Sequence, residues 1–455
     1  MIGSCIREEF GMAMIVKNNI GAKKTLNELN KNEKAMSKDL KKIASGLKIN
    51  SAADDASGYA ISERMAVQIR GLDQDSQNTQ NSQALMKTAS GALDSTMDIL
   101  KTLKEKAINA ANDTNTDADR ATIQKEVDQA VQQIDENAQV TYNGKTMLDG
   151  SKNSAVTGPN GQGTSTYLTN EYFAGNTSGL SRIVNLQSKT GENLNILPGD
   201  HIIVSYVKNG QTYSNEDNPV QVSNTTRFFK MFDWSPCNND IDIEHYSNTS
   251  KIGVGANGED VYTTDGKSAI SYHAKNPGLD GQIAGLTIRV EDSQGNPKKG
   301  INAIMDNFQE TIRAQDPSED NAMTFQVGTK ANQSIRLGFT DMRSYALGLS
   351  SKDGKAIDIT SQASANAAIS AFDNAVEKVL AQQTALGAVT SRMDYTNANI
   401  VTASENVTAS QSTITDADMA KEMTSFTKNN ILTQAAQSML AQANQSSSSV
   451  LSLLQ

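Results

Sequence analysis

Apolar residues recur at alternating spacings of three and four along the N-terminal part of the chain. The row comprises Leu26, Leu29, Met36, Leu40, Ile43 and Leu47, and Glu33 is its one polar exception. This spacing places the row on one face of a helix and is typical of a coiled-coil seam. Ser51-Ala-Ala-Asp54 then resembles a capping box, which predicts that a second helix starts there.

Further helices are predicted before residue 150. A second apolar row contains Met86, Leu93, Leu100 and Ala107. The polar stretch 112–116 interrupts it, and a third helix follows with Ile123, Val127, Ala130 and Ile134 on one face. Tyr142-Asn143-Gly144 predicts the turn that ends this helix.

The C-terminal part has the most regular pattern. Every seventh residue of one stretch is apolar, namely Phe372, Val379, Leu386, Met393, Ile400, Val407 and Ile414. At a rise of ~1.5 Å per residue, this row predicts a helix of roughly 60 Å. Thr415-Asp-Ala-Asp418 offers a new N-cap for a last helix that carries Met423, Phe426, Ile431, Ala435 and Met439, and the chain ends apolar at 450–454.

Periodicity alone allows two interpretations of these rows. They could be the core stripes of a monomeric helical bundle. However, the terminal rows are far apart in sequence, and the last helix is too polar and small-sided to be stable alone. We therefore expect both termini to need partners, either each other or neighbouring copies.

The middle of the chain has a different composition. All seven prolines lie between Pro159 and Pro317, together with the three histidines and the single tryptophan. Because proline breaks helix interiors, this distribution predicts helical ends around a loop-rich β insert.

Strand and hairpin signals lie in this insert. A strand at 201–207, the turn Asn209-Gly210 and a second strand near Thr212 predict a hairpin. Another strand is predicted at 286–290, and a short helix within 301–314. Alternating Phe325, Val327, Ile335, Leu337 and Phe339 predict one further hairpin that turns around 329–332.

Composition excludes several classes of protein. The 455 residues are 37% hydrophobic and only 5% aromatic, which favours thin seams between long helices over one thick core. The net charge is −10 without a basic block, so we expect no nucleic-acid partner. Two cysteines give no disulfide framework, and no apolar run spans a bilayer, so we expect no membrane insertion.

The first eleven residues differ from the helical pattern that begins at Met12. Arg7-Glu-Glu9 can be encoded by a purine-rich stretch that resembles a ribosome-binding site. We therefore expect Met12 to be the true start and residues 1–11 to be a non-native extension, the alternative being a genuine short extension. No ordinary signal peptide is recognisable.

Several motifs resemble those of bacterial flagellins. The signature is Asn50-Ser-Ala-Ala-Asp54-Asp55-Ala-Ser-Gly58-Tyr-Ala-Ile61, preceded by Ser45-Gly-Leu47. The opening Val16-Lys-Asn-Asn19 and the closing run from Asn429 to Asn444 also match. The resemblance covers roughly 12–150 and 323–455, with its motifs in the same order.

This resemblance implies a mainly α fold with a β-rich insert. Long antiparallel helices from both termini would form a coiled coil, and a variable outer α+β domain would be exposed. Residues 12–50 and 416–455 would form the inner terminal domain, 51–150 and 323–415 a helical domain with a β-hairpin, and 151–322 the surface domain. It also implies an extracellular homopolymer that builds the flagellar filament for motility. Its further partners would be an export chaperone at the C-terminal helix and the hook-associated and cap proteins, after unfolded passage through the flagellar type III system.

The resemblance also implies contacts with the host receptor that senses flagellin. These would include Lys101, Lys104, Glu105 and Glu126. Where stimulatory flagellins place a contacting Arg and a Leu, this chain has Thr102 and Lys106, so we expect weakened recognition. The insert precedes the 324–349 hairpin region, whereas some flagellins carry it after, so its fold cannot be taken from them.

No catalytic motif stands out. The His-Glu-x-x-His of zinc proteases, which some flagellins carry, is absent, and Glu244-His245 is in the reverse order. We expect no catalytic residues, no cofactor and no metal. Two alternatives stay open: a hook–filament junction protein with similar ends, or a secreted helical adhesin or enzyme with a catalytic middle domain.

Overall fold

The computed structural model describes residues 19–158, 161–246, 251–263 and 269–453. The α-helices are α1 (Ile20–Ser45), α2 (Ala56–Ala110), α3 (Asp117–Ala138), α4 (Cys237–Asp240), α5 (Lys299–Met305), α6 (Ser344–Leu347), α7 (Gln362–Thr415) and α8 (Met419–Leu453). The strands are β1 (Thr141–Tyr142), β2 (Lys145–Thr146), β3 (Tyr167–Asn170), β4 (His201–Lys208), β5 (Gln211–Ser214), β6 (Val220–Gln221), β7 (Ile241–Tyr246), β8 (Lys251–Val254), β9 (Asp260–Tyr262), β10 (Ala269–Ala274), β11 (Ile283–Glu291), β12 (Gln309–Ile312), β13 (Met323–Gln326) and β14 (Ser334–Leu337).

The predicted fold class is confirmed, because long helices occupy both ends and the strands occupy the middle. The chain divides into two compact units, both of which include parts of α2 and α7: unit 1 contains residues up to Ser76 and from Ala398, and unit 2 contains Gln77–Asn397. In the part of the chain that the structure describes, no helix is long and apolar enough to cross a membrane. The expectations about Met12 and residues 1–11 lie outside the described residues.

Unit 2 has a narrow helical core built along an antiparallel pair of helices. The predicted row of Met86, Leu93, Leu100 and Ala107 on α2 is buried, as are Phe372, Val379, Leu386 and Met393 on α7. Five alanines of α7 between 365 and 375 are also fully buried, and two of them, Ala367 and Ala371, lie against Gly285 of the insert. The low aromatic content of the chain is therefore explained in part by this core along α2 and α7, which small and aliphatic side chains fill.

Polar pairs along this seam keep a constant register within unit 2. Gln83 Nε2 donates to Asp394 Oδ1 at 2.8 Å, and Gln383 Nε2 donates to Asp94 Oδ1 at 2.7 Å. The two hydrogen bonds are therefore eleven residues apart on α2 and also eleven residues apart on α7, in the opposite chain direction. This separation corresponds to about three helical turns. The same antiparallel register reaches the ion pair of Lys104 with Asp373, whose Nζ and Oδ1 atoms are 2.5 Å apart.

Turn chemistry accounts for several predicted connections. Thr116 and Asp119 form a capping box at the start of α3, after the polar break. Asn209 and Gly210 have φ values of 51° and 68°, as a two-residue hairpin turn of the I′ type requires, and join β4 to β5. The hairpin of β13 and β14 also forms with the predicted turn.

The insert contains two small antiparallel sheets around one apolar cluster. The first has the order β12-β3-β10-β7, and the second has the order β11-β4-β5, with β6 also paired to β4. Tyr206, Phe228 and Tyr272 are fully buried in the cluster that joins them. This aromatic core is unlike the aliphatic seam of the helices.

Three sequence expectations need correction. Ser51 does not cap α2, because its hydroxyl donates to Asp54 Oδ2 at 3.0 Å within a turn and the helix begins only at Ala56. The helix expected within 301–314 is α5, which ends at Met305, since 309–312 pair with β3 as a strand. The Asn143-Gly144 turn joins β1 to β2, whereas α3 already ends at Ala138.

The insert is held against α7 by a close backbone contact and a buried ion pair. A Cβ added at Gly285 of β11 would lie 2.7 Å from the Ala371 nitrogen and 2.9 Å from the Ala367 carbonyl oxygen. Lys378 Nζ of α7 lies 3.6 Å from Glu310 Oε1 of β12, and both side chains are almost fully buried. Burial raises the pKa of Glu310 and lowers that of Lys378, so removing either partner alone would leave an uncompensated buried group.

We predict that Gly285→Ala destabilises unit 2 by about 1–3 kcal/mol, because the new methyl group overpacks against the α7 backbone. Gly387→Ala on α7 is the matched control, since nothing lies within 4 Å of a Cβ there. A mid-helix Gly-to-Ala change should stabilise by about 0.5–1 kcal/mol. Urea unfolding measures both, and equal stabilities for the two variants would contradict the close contact.

Candidate assembly interface

The terminal helices α1 and α8 pair in antiparallel fashion within unit 1. Asn429 Nδ2 donates to Asp39 Oδ2 at 2.7 Å, and Lys42 Nζ lies 3.3 Å from Glu422 Oε1. Asp39 is buried, so the Asn429 amide satisfies a carboxylate that would otherwise be costly in this place. Polar contacts thus set the register of this pair.

The segments beyond α1 and α7 also pair with each other. Gly46 ends α1 with a φ of 72°, and its carbonyl oxygen accepts from the Ala417 nitrogen at 2.9 Å. The Lys48 backbone nitrogen donates to the Thr415 carbonyl oxygen at 2.7 Å, and its ammonium donates to the Thr413 carbonyl oxygen at 2.8 Å. This short pairing fixes the end of α1 and the segment that leads into α8.

The first half of the family signature forms a turn around Asp54. Asp54 Oδ2 accepts from the Asn50 backbone nitrogen at 3.2 Å and from the Ser51 hydroxyl at 3.0 Å. The Ser51 hydrogen bond, then the Asn50 bond, and more weakly the nearby Lys38 ammonium lower the pKa of Asp54. The Asn50 side chain in turn donates to the Leu47 carbonyl oxygen at 3.0 Å.

The second half of the signature starts α2. Asp55, which precedes the first helical residue, accepts from the Ser57 backbone nitrogen at 3.0 Å and so caps the helix. A Cβ at Gly58 would lie 2.5 Å from Asp55 Oδ2 and 2.7 Å from Ile49 Cδ1. A larger residue here would displace the Asp55 carboxylate and the Ile49 side chain, and Ile61 is half-buried one turn later. The signature residues therefore shape the entry into α2.

The predicted seam of α1 is only partly buried by α8. Leu29 is buried, and Met36, Ile43 and Leu47 are half-buried, whereas Leu26 and Leu40 are 44% and 55% exposed. Outside the predicted row, Ile20 is also exposed. The pairing of α1 with α8 thus leaves apolar surface uncovered in the subunit.

The predicted row of α7 behaves differently along its length. Phe372, Val379, Leu386 and Met393 belong to the core of unit 2, so they stabilise the subunit itself. In unit 1, Ile400 is buried, and Val407 and Ile414 are half-buried. Only the last two positions keep surface that a second molecule could reach.

Helix α8 exposes large apolar side chains on several sides. Of the predicted residues, Met423 is 47% and Ile431 is 61% exposed, and Phe426 is half-buried. Further exposed residues that the pattern did not single out are Met419, Leu432 and Met439. Because these large apolar side chains lie on several sides of an otherwise polar helix, α1 alone cannot cover them.

The predicted receptor contacts lie on α2 and α3, and three of the four, Lys101, Lys104 and Glu126, take part in ion pairs within the chain. Lys106 Nζ is 2.5 Å from Glu126 Oε2, and Lys104 pairs with Asp373. Lys101 pairs with Asp98 at 2.9 Å on the helix surface, and Glu105 is exposed. An approaching protein would therefore compete with Lys106 for the Glu126 carboxylate.

Metal-binding clusters, the buried cysteine and the histidines are the remaining candidates for chemistry among the described residues. No group of three or more His, Cys, Asp or Glu side chains that could hold a metal is present among them. Cys237 is buried, and burial raises the pKa of its thiol to about 12, so it remains a protonated thiol. The His273 ring stacks on Tyr167 with a centroid distance of 5.0 Å.

A cavity of about 670 Å³ in unit 2 is lined by several carboxylates that already have partners. Asp135 accepts from the backbone and hydroxyl of Ser344, and Asp341 binds the Arg343 guanidinium. These contacts hold the loop before α6 in place. They explain the charged lining of the cavity without a bound substrate.

Comparison with known families supports the resemblance at both ends. The model of the bacterial flagellin N-terminal helical region matches residues 16–153, and that of the bacterial flagellin C-terminal helical region matches residues 369–454. The matched ranges contain the seams, the signature and the ion-paired stretch described above.

Curated relatives are similar over nearly the whole chain. A flagellin of Clostridium tyrobutyricum is 34% identical over 95% of this chain and 99% of its own length. Polar flagellin A of Vibrio parahaemolyticus is 28% identical over 97% of this chain and 100% of its own. A flagellin of Bacillus subtilis has the same identity and coverage.

We predict that Asp54→Asn destabilises the turn around residue 54 mainly at neutral pH, where the wild-type carboxylate is ionised. Because folding lowers the pKa of Asp54, its carboxylate contributes stability above the unfolded-state pKa and loses it as pH falls through the folded-state value. The stability difference between wild type and variant should be largest above about pH 5 and shrink below about pH 3. Urea unfolding of the monomer at several pH values measures this, and a difference that does not change with pH would contradict the proposed role.

Proposed function

The chain belongs to the bacterial flagellin family, and we propose that it polymerises through the apolar side chains that its paired terminal helices leave exposed. As a flagellin, it is an extracellular structural subunit of the flagellar filament and forms a homopolymer. The finer proposal rests on one observation above all. Leu40, Ile431 and Met439 remain 55%, 61% and 63% exposed after α1 and α8 have paired.

The two units differ in how much apolar side-chain surface they bury. Fully burying a Leu or Ile side chain contributes about 1.5–3 kcal/mol, which unit 2 obtains along its whole α2–α7 seam. In unit 1, few large apolar residues contribute this burial energy. In the described part of α1, only Leu29 and Asp39 are buried. Neighbouring copies of the same chain would supply the missing apolar partners in a helical polymer.

The domain arrangement is proposed in the same terms. Residues 12–50 and 416–455 would form the innermost layer, 51–150 and 323–415 the next, and 151–322 the outer surface. The boundary between the two compact units lies further along the long helices, at 76/77 and 397/398. We place the assembly contacts in the terminal layer because its helices are the least covered.

The exposed apolar residues of α8 also suggest which partners act before and during assembly. We propose that the chain is exported unfolded through the flagellar type III system, with a chaperone on α8 and with hook-associated and cap proteins as later partners. In α8, Met419, Met423, Ile431 and Met439 are exposed, so a chaperone would have to shield this apolar surface before assembly. The filament role is favoured over the hook–filament junction because the matched relatives are flagellins over their full length.

We propose that the chain has no enzymatic role. The family is structural, and the titratable groups of the cavity in unit 2 are committed to hydrogen bonds and ion pairs. A secreted adhesin or enzyme with a catalytic middle domain finds no supporting arrangement in the described parts of 151–322.

We predict that Leu40→Gln combined with Ile431→Gln blocks polymerisation but leaves the monomer folded. Since the two side chains are 55% and 61% exposed, the variant loses about 2–3.5 kcal/mol of burial per subunit, which raises the critical concentration roughly 20- to 300-fold. Monomer stability should change by less than about 0.5 kcal/mol, because both positions are exposed. Growth on filament seeds, followed by sedimentation, measures this outcome.

The control is Lys34→Gln with Lys428→Gln, two exposed polar positions on the same two helices. These changes remove no apolar surface, and the control variant should polymerise as the wild type does. Normal growth of the Leu40/Ile431 variant would contradict the proposed interface.

For the host receptor, we propose weakened recognition, because Thr102 and Lys106 stand where an Arg and a Leu would make contact. We predict that Thr102→Arg with Lys106→Leu lowers the half-maximal dose in a receptor reporter assay at least about tenfold, since it adds both contacts and frees Glu126. Lys125→Leu, an exposed change on α3, is the control. A wild-type response as strong as that of the double variant would overturn the proposal.

A further inference from the structure

Two arginines lie directly opposite each other on the surface of the insert. Arg182 and Arg227 form an isolated antiparallel bridge, flanked by hydrogen bonds from the Ile183 nitrogen to the Thr226 oxygen at 3.0 Å and from the Phe228 nitrogen to the Ser181 oxygen at 2.9 Å. Directly opposed residues of such a bridge project to the same face. Both arginines are exposed, so their guanidinium groups share one patch of surface.

This arrangement costs stability, because like charges directly opposite each other repel. Among the described residues, no hydrogen bond or ion pair joins either side chain to another residue. The chain carries 51 acidic against 41 basic residues, so counter-charges are plentiful elsewhere. An uncompensated arginine pair on an acidic protein therefore indicates an anionic partner from outside the chain.

The neighbouring positions are apolar and exposed. Phe229 lies next to Leu180 across the same backbone pairing, since its nitrogen donates to the Gly179 oxygen at 3.0 Å. Phe229 is 41% and Leu180 is 65% exposed. The neighbouring Phe228 is buried and packs edge-on against Phe173, with 5.6 Å between the ring centroids. This contact anchors the backbone that carries Arg227 and Phe229.

We propose that this arginine patch, made of Leu180, Arg182, Arg227 and Phe229, binds an acidic polysaccharide. Guanidinium groups bind carboxylate and sulfate oxygens in bidentate fashion, and the exposed Phe229 ring offers an apolar face for a sugar ring. Nucleic acid fits less well, because its binding rests on many phosphate contacts, whereas this patch offers two cations beside an exposed apolar ring.

The inference rests on the proposed function in one respect. A single arginine pair gives a weak site, but a filament would present the same patch once per subunit along its length. A long polysaccharide that engages several patches gains affinity through effective concentration, without any new contact. Filaments should therefore retain the polymer far better than monomers at equal subunit concentration.

The test uses assembled filaments of full-length protein and fluorescent heparin, with uncharged dextran and double-stranded DNA as comparison polymers. Wild-type filaments should co-sediment with heparin and not with dextran, and should bind DNA more weakly. Arg182→Gln with Arg227→Gln should weaken heparin binding at least about tenfold, because two charge-assisted contacts are lost. Phe229→Ala should weaken it several-fold with both arginines intact.

The matched control is Lys251→Gln with Lys299→Gln, which removes two positive charges from the same insert but leaves the patch unchanged. It should bind heparin as the wild type does. The fluorescence of Trp234, the single tryptophan, reports whether the insert stays folded in each variant. Relief of the repulsion should leave the arginine variant at least as stable as the wild type at low salt.

Equal heparin binding by the arginine variant and the wild type would overturn the proposal. So would DNA binding as tight as heparin binding together with no effect of Phe229→Ala, since that pattern reports only charge. Filament growth is scored separately: loss of growth in the Leu40/Ile431 variant concerns assembly, whereas the arginine variants should grow normally.

Discussion

Burial of small and medium apolar side chains along antiparallel helices is the interaction on which this structure depends. In unit 2, small buried alanines of α7 keep the core narrow, and polar pairs such as Gln83 with Asp394 fix the register of α2 against α7. Few aromatic residues are needed, because the seam is long and thin. The insert rests on this seam through Gly285, which permits contact between its backbone and that of α7.

The same interaction is incomplete in unit 1. There, α1 and α8 are aligned by Asp39 with Asn429 and by Lys42 with Glu422, but these polar contacts align the pair more than they stabilise it. Large apolar residues such as Ile431 stay exposed. In the proposed assembly, neighbouring copies would cover these residues and complete the apolar contacts of the terminal helices.

Sequence periodicity identified the long helices correctly, because the apolar row from Phe372 to Ile414 continues without interruption. It could not tell a partner within the chain from one in a neighbouring copy: Phe372 and Ile414 belong to one row, yet only Phe372 is fully buried. Local motifs were less reliable. Ser51 matched a capping box, but Asp54 takes its hydroxyl for a turn and leaves Asp55 to cap the helix. The opposition of Arg182 and Arg227 depends on tertiary pairing, so no local pattern predicted it.

We propose that the terminal helices complete their apolar contacts only in the polymer. Hydrogen–deuterium exchange of α1 and α8, measured on monomers and on filaments of the same protein, tests this most directly. The account predicts fast exchange of both helices in the monomer and strong protection in the filament, while the α2–α7 seam of unit 2 is protected in both states. Equal and strong protection of α1 and α8 in the free monomer would contradict it.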